Sequence, residues 1–335
     1  MFSDLLNQSV KSSFDANSYN SVYVPPLTLT HKMGGVYALN EPSRELSTIQ
    51  TLAGHDFSVD MVPVHLANGT EVPDKRIAVD DNGSMLGNGI VSNNYMPCQP
   101  SELYSLAGHM LGLDDEMTIT DVVTSRNKNM IGLQLNKGSW SPTGEFGDRL
   151  ENNLLLLTTF DGTKPTSIRT INFRPKCSNQ YAATKQLASI RHTSRSDQRI
   201  FELRRLLTVV TQQIEHTNEQ IQALVYKAMS KKSASKWFSD LLLSGKDLAD
   251  MEGRAKTVHD NKLSDFERIL RTGAGYEAGE NTAYAAFNAL TNYCTHERAT
   301  RSSENTDENE ARWDSNLFGS AASFAQSGFD RLVKM

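Results

Sequence analysis

The chain of 335 residues is poor in the features that announce a familiar chemistry. Its three cysteines, Cys98, Cys177 and Cys294, are odd in number and far apart, which excludes a disulfide framework and suits a reducing compartment. No window approaches 18 continuous apolar residues, so no membrane span is predicted. Residues 1–23 are rich in Ser and Asn, with no cationic region leading into an apolar run, so no secretory leader is expected and the predicted location is the cytoplasm. A phosphate loop of the Gly-x-x-x-x-Gly-Lys-Ser/Thr kind is missing. The glycines of Leu270–Gly279 have no strand before them and no Lys after them, and read as a connector. The eight histidines form no His-x-x-x-His pair, and Cys294 and His296 fall on different faces of a helix, so no metal and no cofactor are implied. There is no Gly-x-Ser-x-Gly elbow, and Cys177 has no catalytic signature around it. The pairs Asp80-Asp81 and Asp114-Asp115-Glu116 read as solvated turns. These absences leave a protein that is not an enzyme and works by binding.

What is present is ordinary globular material, 38 % apolar and 22 % charged, in two grammars. After a polar segment over residues 1–25, the stretch 26–185 carries strand punctuation. Asp56–Val64 alternates apolar and polar residues, and Arg76–Val79 is joined to Met85–Val91 across the turn Asp80–Ser84, which reads as a hairpin. A helix is predicted over Ser101–Leu111 with Ser101 as its cap. Leu154–Phe160, turned by Asp161-Gly162, returns as Ser167–Phe173. From residue 186 to 335 the pattern turns helical. Ile200, Leu203, Leu207, Val210, Ile214, Thr217, Ile221, Leu224 and Ala228 recur at spacings of three and four, the seam of a long amphipathic helix. Lys231–Lys236 is read as its break, with further helices over Ala234–Leu243, Thr282–Thr295 and Leu317–Val333 around a polar loop at Ser302–Glu310. The expected fold class is α+β: an antiparallel hairpin sheet with short helices, then a long helix and a helical C-terminal part.

Charge is segregated. Up to Phe160 there are 18 acidic and 9 basic residues, whereas Lys185–Lys236 holds 10 basic and 4 acidic, in a chain whose net charge is −5. Arg191, Arg195, Arg199, Arg204 and Arg205 open the long helix, and Lys231, Lys232 and Lys236 follow it beside Trp237 and Phe238. Cations release counterions from phosphates, and aromatic rings stack on unpaired bases, so the two groups are candidate contacts for single-stranded DNA. The competing reading puts Trp237 and Phe238 in the core and the charges on an ordinary wet face. The apolar seam predicts self-association, with Leu207, Val210 and Ile214 at the interface of a homo-oligomer.

The order of motifs resembles a known family. Met85-Leu86-Gly87-Asn88-Gly89-Ile90-Val91 with Tyr95-Met96-Pro97-Cys98-Gln99 is similar to an LGxVxxxYxPxQ block. Leu154–Phe160 with Asp161-Gly162-Thr163 and Arg174–Asn179 looks like its LLLxxxxDGS…RxVCxN block, although Lys176 and Ser178 depart from it. Ile190-Arg191-His192-Thr193, Asn281–Tyr293 and Leu317-Phe318-Gly319-Ser320 are similar to its later blocks, over roughly residues 50 to 320. The family is that of the phage/plasmid-like proteins grouped as domain of unknown function 932; its usual N-terminal Trp-His-Gly element is not evident. The resemblance implies a mobile-element setting and no activity. Phage single-strand annealing proteins share the outline of sheet plus helices without catalytic residues, an analogy of fold alone. Single-strand annealing in recombination or replication is the expected role, and a scaffold or inhibitor that binds a host defence protein is the alternative.

Overall fold

Four consecutive leucines, Leu154–Leu157, organise the molecule because a strand with apolar side chains on both faces must be covered on both. In the computed structural model they lie in β8 (Leu150–Thr159). Leu154 and Leu156 point into one core, and Leu155 and Leu157 into another. The structure describes residues 26–33, 35–125, 127–144, 149–174, 179–181, 186–190, 196–245, 247–273, 280–300 and 308–335, with the backbone alone at 33, 173–174, 179–181, 186, 190, 196–208, 211 and 310.

Around β8 the described residues build an antiparallel sheet from β1 (Leu29–Met33), β2 (Val36–Ser43), β6 (Thr118–Thr124), β7 (Met130–Trp140), β8, β9 (Thr166–Arg174) and β10 (Asn179–Tyr181), in that spatial order. β11 (Gln186–Ile190) also pairs with β9. β7 reaches β8 closely at Gly132, where a Cβ would collide with the Leu157 side chain and the Leu156 carbonyl. A smaller sheet holds β3 (Asp60–His65), β4 (Glu71–Val79) and β5 (Val91–Ser92). α1 (Leu46–Leu52) and α2 (Pro100–Leu113) cover the first face of the main sheet, with Ile49, Leu103, Leu106 and Met110 in its core.

The helical part begins with α3 (Ser196–Tyr226), 31 residues long. α4 (Lys231–Leu243), α5 (Gly253–Thr272), α6 (Ala283–Asn292) and α8 (Ser320–Lys334) gather around Phe238, Phe266, Tyr284, Phe287 and Phe329. α7 (Glu308–Leu317) leaves this group and lays Trp313 and Leu317 on the second face of the sheet. None of the described helices is long and apolar enough to cross a membrane.

The α+β class and the β8–β9 hairpin match the expectation from sequence. Several details differ. β4 takes β3 as its long partner, and across the Asp80–Ser84 turn only a single bridge, Val79 to Met85, forms before β5 rejoins β4. The division at 185/186 runs through the sheet, because β11 adds to β9 and α7 returns to the far face. Lys231–Lys236 does not break a helix but starts α4. The break falls earlier, where Ala228 bridges Thr282 and Ser230 caps α4 by accepting from the Ser233 amide.

Candidate functional site

The candidate nucleic-acid contacts divide into those the structure places and those it does not. Arg191 and Arg195 lie outside the described residues, and Arg199, Arg204, Arg205 and Leu207 are placed as backbone positions on α3. Lys231, Lys232 and Lys236 are exposed in the first turns of α4. Lys231 stands 3.8 Å from Glu280. Lys232 and Lys236 are four residues apart, share a face, and form no ion pair among the described residues. The platform under them is fixed: the Met229 amide donates to the Asn281 carbonyl at 2.8 Å, and the Ala283 amide to the Lys227 carbonyl at 2.8 Å. Lys227, close in sequence to this group, is turned away from it, its ammonium donating to the Leu332 carbonyl at 2.8 Å.

The two cationic groups do not form one patch. Arg199, Arg204 and Arg205 lie in the first turns of α3 and Lys231, Lys232 and Lys236 beyond its end, and at 1.5 Å per residue the 27 positions from Arg199 to Tyr226 span roughly 40 Å. Between them the exposed residues of α3 include Glu215 and Glu219. Trp237 and Phe238 are core side chains rather than stacking platforms: both are buried, and Phe238 stacks on Phe266 with ring centroids 4.1 Å apart. The expected interface also needs revising. Val210 and Ile214 are buried in the chain's own core with Leu154, Ile168 and Met110, so they are not surface that a second copy could meet. The physical reason is simple: the sheet supplies the apolar partner that the seam needs.

The motif blocks do converge, at the turn between β8 and β9. The Asp161 carboxylate accepts from the Asn129 amide at 3.1 Å, and from the Thr163 amide and hydroxyl at 3.1 and 2.6 Å. Gly87, with φ +84°, and Gly89 sit against this turn: a Cβ at Gly87 would collide with Asn129, and one at Gly89 with the Asp161 carbonyl. The Tyr95 hydroxyl donates to the Thr159 carbonyl at 3.0 Å. Lys164 pairs with Asp314 of α7 and lies 4.6 Å above the Phe318 ring, while the Arg169 guanidinium lies 4.3 Å from the same ring and donates to the Leu317 carbonyl at 3.0 Å. The blocks therefore tie the hairpin turn to the C-terminal helices. A polar cleft of about 750 Å³ opens beside this junction, lined by Ser125, Asp161, Lys164, Arg298 and Ser320 among others.

Cys294 and His296 separate as their spacing implies. Cys294 is buried in the helical core, where burial pushes its thiol up to about 12, and His296 is exposed. One group was missed from sequence altogether: Ser239, His259 and Asp260, which meet where α4 packs on α5. Twenty residues separate Ser239 from His259, and no local motif joins them.

Residues 88–317 match the family described as Domain of unknown function (DUF932). No curated protein and no solved structure matches.

Proposed function

The chain belongs to the DUF932 family, whose description assigns no activity, and from that premise we propose that it is a DNA-binding protein of a phage or plasmid. In this reading it holds single-stranded DNA without making or breaking bonds in it and promotes pairing of complementary strands in the host cytoplasm. The observation that carries the reading is the segregation of charge: a chain of net charge −5 concentrates a +6 excess in Lys185–Lys236, the stretch that contains α3 and the start of α4. Acidic surface elsewhere would repel a polyanion and confine it to that stretch. Lys232 and Lys236 support the second contact zone because no carboxylate among the described residues neutralises them. Ser230 and Ser233 add hydroxyls at the N-terminus of α4, where free amides and the helix dipole favour phosphate.

The helix also sets a ruler. A strand stacked at 3.4 Å per nucleotide covers roughly 40 Å in about 12 nucleotides. Fluorescence anisotropy with labelled oligonucleotides of increasing length should show affinity rising until about 12 nucleotides and then levelling. Each phosphate contact adds about 0.7 to the salt slope for a single strand. The variant Lys231→Ala/Lys232→Ala/Lys236→Ala, and separately Arg191→Ala/Arg195→Ala/Arg199→Ala, should each reduce the slope by about 2. Absence of binding at low salt overturns the reading and assigns the surface to a host protein partner. Binding with an unchanged slope in both variants overturns the site.

A further inference from the structure

Ser239 on α4 and His259 on α5 are joined by a 3.0 Å hydrogen bond between Oγ and Nε2, and His259 Nδ1 lies 3.1 Å from Oδ1 of Asp260. An ionised carboxylate can only accept, so in the neutral ring the proton sits on Nδ1 and the lone pair of Nε2 faces the serine hydroxyl. That is the tautomer in which an imidazole can remove the serine proton, and it is set by the neighbour on the opposite ring nitrogen. His259 is 4 % exposed, which holds the ring in place, while the Asp260 side chain is 55 % exposed.

A buried imidazole needs two polar partners, and any hydroxyl would satisfy one of them. A structural role does not require that the hydroxyl also face a cavity. Ser239 does: it lines a cleft of about 600 Å³ between α4, the α4–α5 connection and α5. Leu243, Leu248 and Leu263 supply apolar wall, Lys236, one turn before Ser239 on the same helix face, supplies an ammonium, and Asp240 and Asp247 bring carboxylates to the same lining. A nucleophile bonded to a base, a base oriented by a third group, and a cation beside an open space are the parts of an acyl-transfer site.

We propose that Ser239 is a catalytic nucleophile with His259 as its general base and Asp260 as a positioning residue, acting on carboxylic esters with a short apolar acyl chain. Ser239 Oγ forms a bond to the carbonyl carbon as its proton passes to His259 Nε2, and the carbonyl electron pair moves onto oxygen, in the space that Lys236 also lines. The pair returns, the bond to the leaving oxygen breaks, and the alcohol departs with the proton from His259. Water then attacks the acyl-serine, giving its proton to His259, and the acid leaves as Ser239 recovers its hydrogen. Atoms and charge balance without an oxidant or further reactant.

The test uses the full chain and a fluorophosphonate probe. Attack by Ser239 forms an Oγ–P bond, expels fluoride and leaves the serine proton on His259. Tandem mass spectrometry should find the adduct on Ser239, and Ser239→Ala should abolish it. His259→Gln should slow labelling at least about a hundredfold. Asp260→Asn should also slow it, and Asp260→Glu should restore part of the rate, which a purely structural aspartate would not show. Circular dichroism on each variant identifies any that fail to fold, and Asp260, being exposed, supplies variants that keep the fold. No adduct on Ser239 of the wild type after hours at millimolar probe overturns the proposal, as does an unchanged rate in folded His259→Gln or in both Asp260 variants. DNA affinity is a separate readout: Lys236 lines both sites, but none of the Ser239, His259 and Asp260 variants alters a proposed DNA contact, so loss of labelling with DNA binding intact rejects this proposal alone.

Discussion

His55 follows α1 directly and is wholly buried, with Nδ1 3.0 Å from the Tyr104 hydroxyl and Nε2 2.7 Å from the Thr124 hydroxyl. Burial first, and the Lys128 ammonium second, lower its pKa to about 3. The linkage has a definite sign. A histidine whose folded value lies below the unfolded 6.5 contributes its full stability above about pH 6.5 and loses it as pH falls toward 3, because the unfolded chain takes up the proton and the native one does not. Between pH 7 and pH 5 this single group should withdraw about 2 kcal/mol. Urea unfolding of wild type and His55→Gln at the two pH values isolates it, since the other titrating groups are shared. The variant should be less stable at pH 7 yet lose about 2 kcal/mol less on acidification; parallel losses would show that His55 is not the group responsible.

At the scale of elements, α2 shows how a correct helix can be assigned the wrong cap. Pro100 occupies the first turn, where its missing N–H is harmless, so the cap falls on Gln99 rather than Ser101. The Gln99 amide N–H donates to Glu102 at 2.7 Å, and its side chain bonds both the amide and the carbonyl of Val59, at 2.9 and 3.0 Å. Gln99→Ala should therefore cost about 2 kcal/mol in chemical denaturation, and exposed Ser101→Ala less than about 0.5. Equal effects would return the cap to Ser101. The same contrast runs through the chain. α3 and α6 were legible because their apolar residues recur at helical spacing, and the β8–β9 pair because a continuous leucine run meets the Asp161-Gly162 turn. α5 was not, since only His259, Phe266, Ile269 and Leu270 are buried in a helix of 20 residues, too few to mark a face. Missing α5 concealed the Ser239–His259 contact. The cationic strip needed no fold to be counted, but that α3 runs unbroken for roughly 40 Å between Arg199 and Tyr226, ahead of Lys231–Lys236, appears only once the helix is seen whole.

For the whole molecule, the question is whether sheet and helices unfold as one body. Each has its own core, yet two elements run through both. β8 places Leu154 and Leu156 in the sheet core and Leu150 in the helical core, and α3 places Val210 and Ile214 in the first and Ile221 and Leu224 in the second. Where they cross from one to the other, each carries a buried polar residue: Asn152 on β8, opposite Asn172 of β9, and Thr217 on α3. Continuous backbone with ladder and helix hydrogen bonds on both sides of that polar layer makes partial unfolding costly, because opening either core strands half of a shared element. A single cooperative transition is expected despite the length of the chain. Phe238→Ala, at the centre of the helical core, removes about 3–5 kcal/mol of local stability. Trp237 reports on that core, and Trp313 on the far face of the sheet. Trp140 also packs on the helical core, so fluorescence melts of Phe238→Ala in Trp140→Phe/Trp237→Phe and Trp140→Phe/Trp313→Phe backgrounds, each with one tryptophan left, should shift by the same amount. If the Trp313 signal keeps its wild-type midpoint while the Trp237 signal moves down, the sheet and the helical part are separate folding units, and α3 is a tether between them rather than a shared beam.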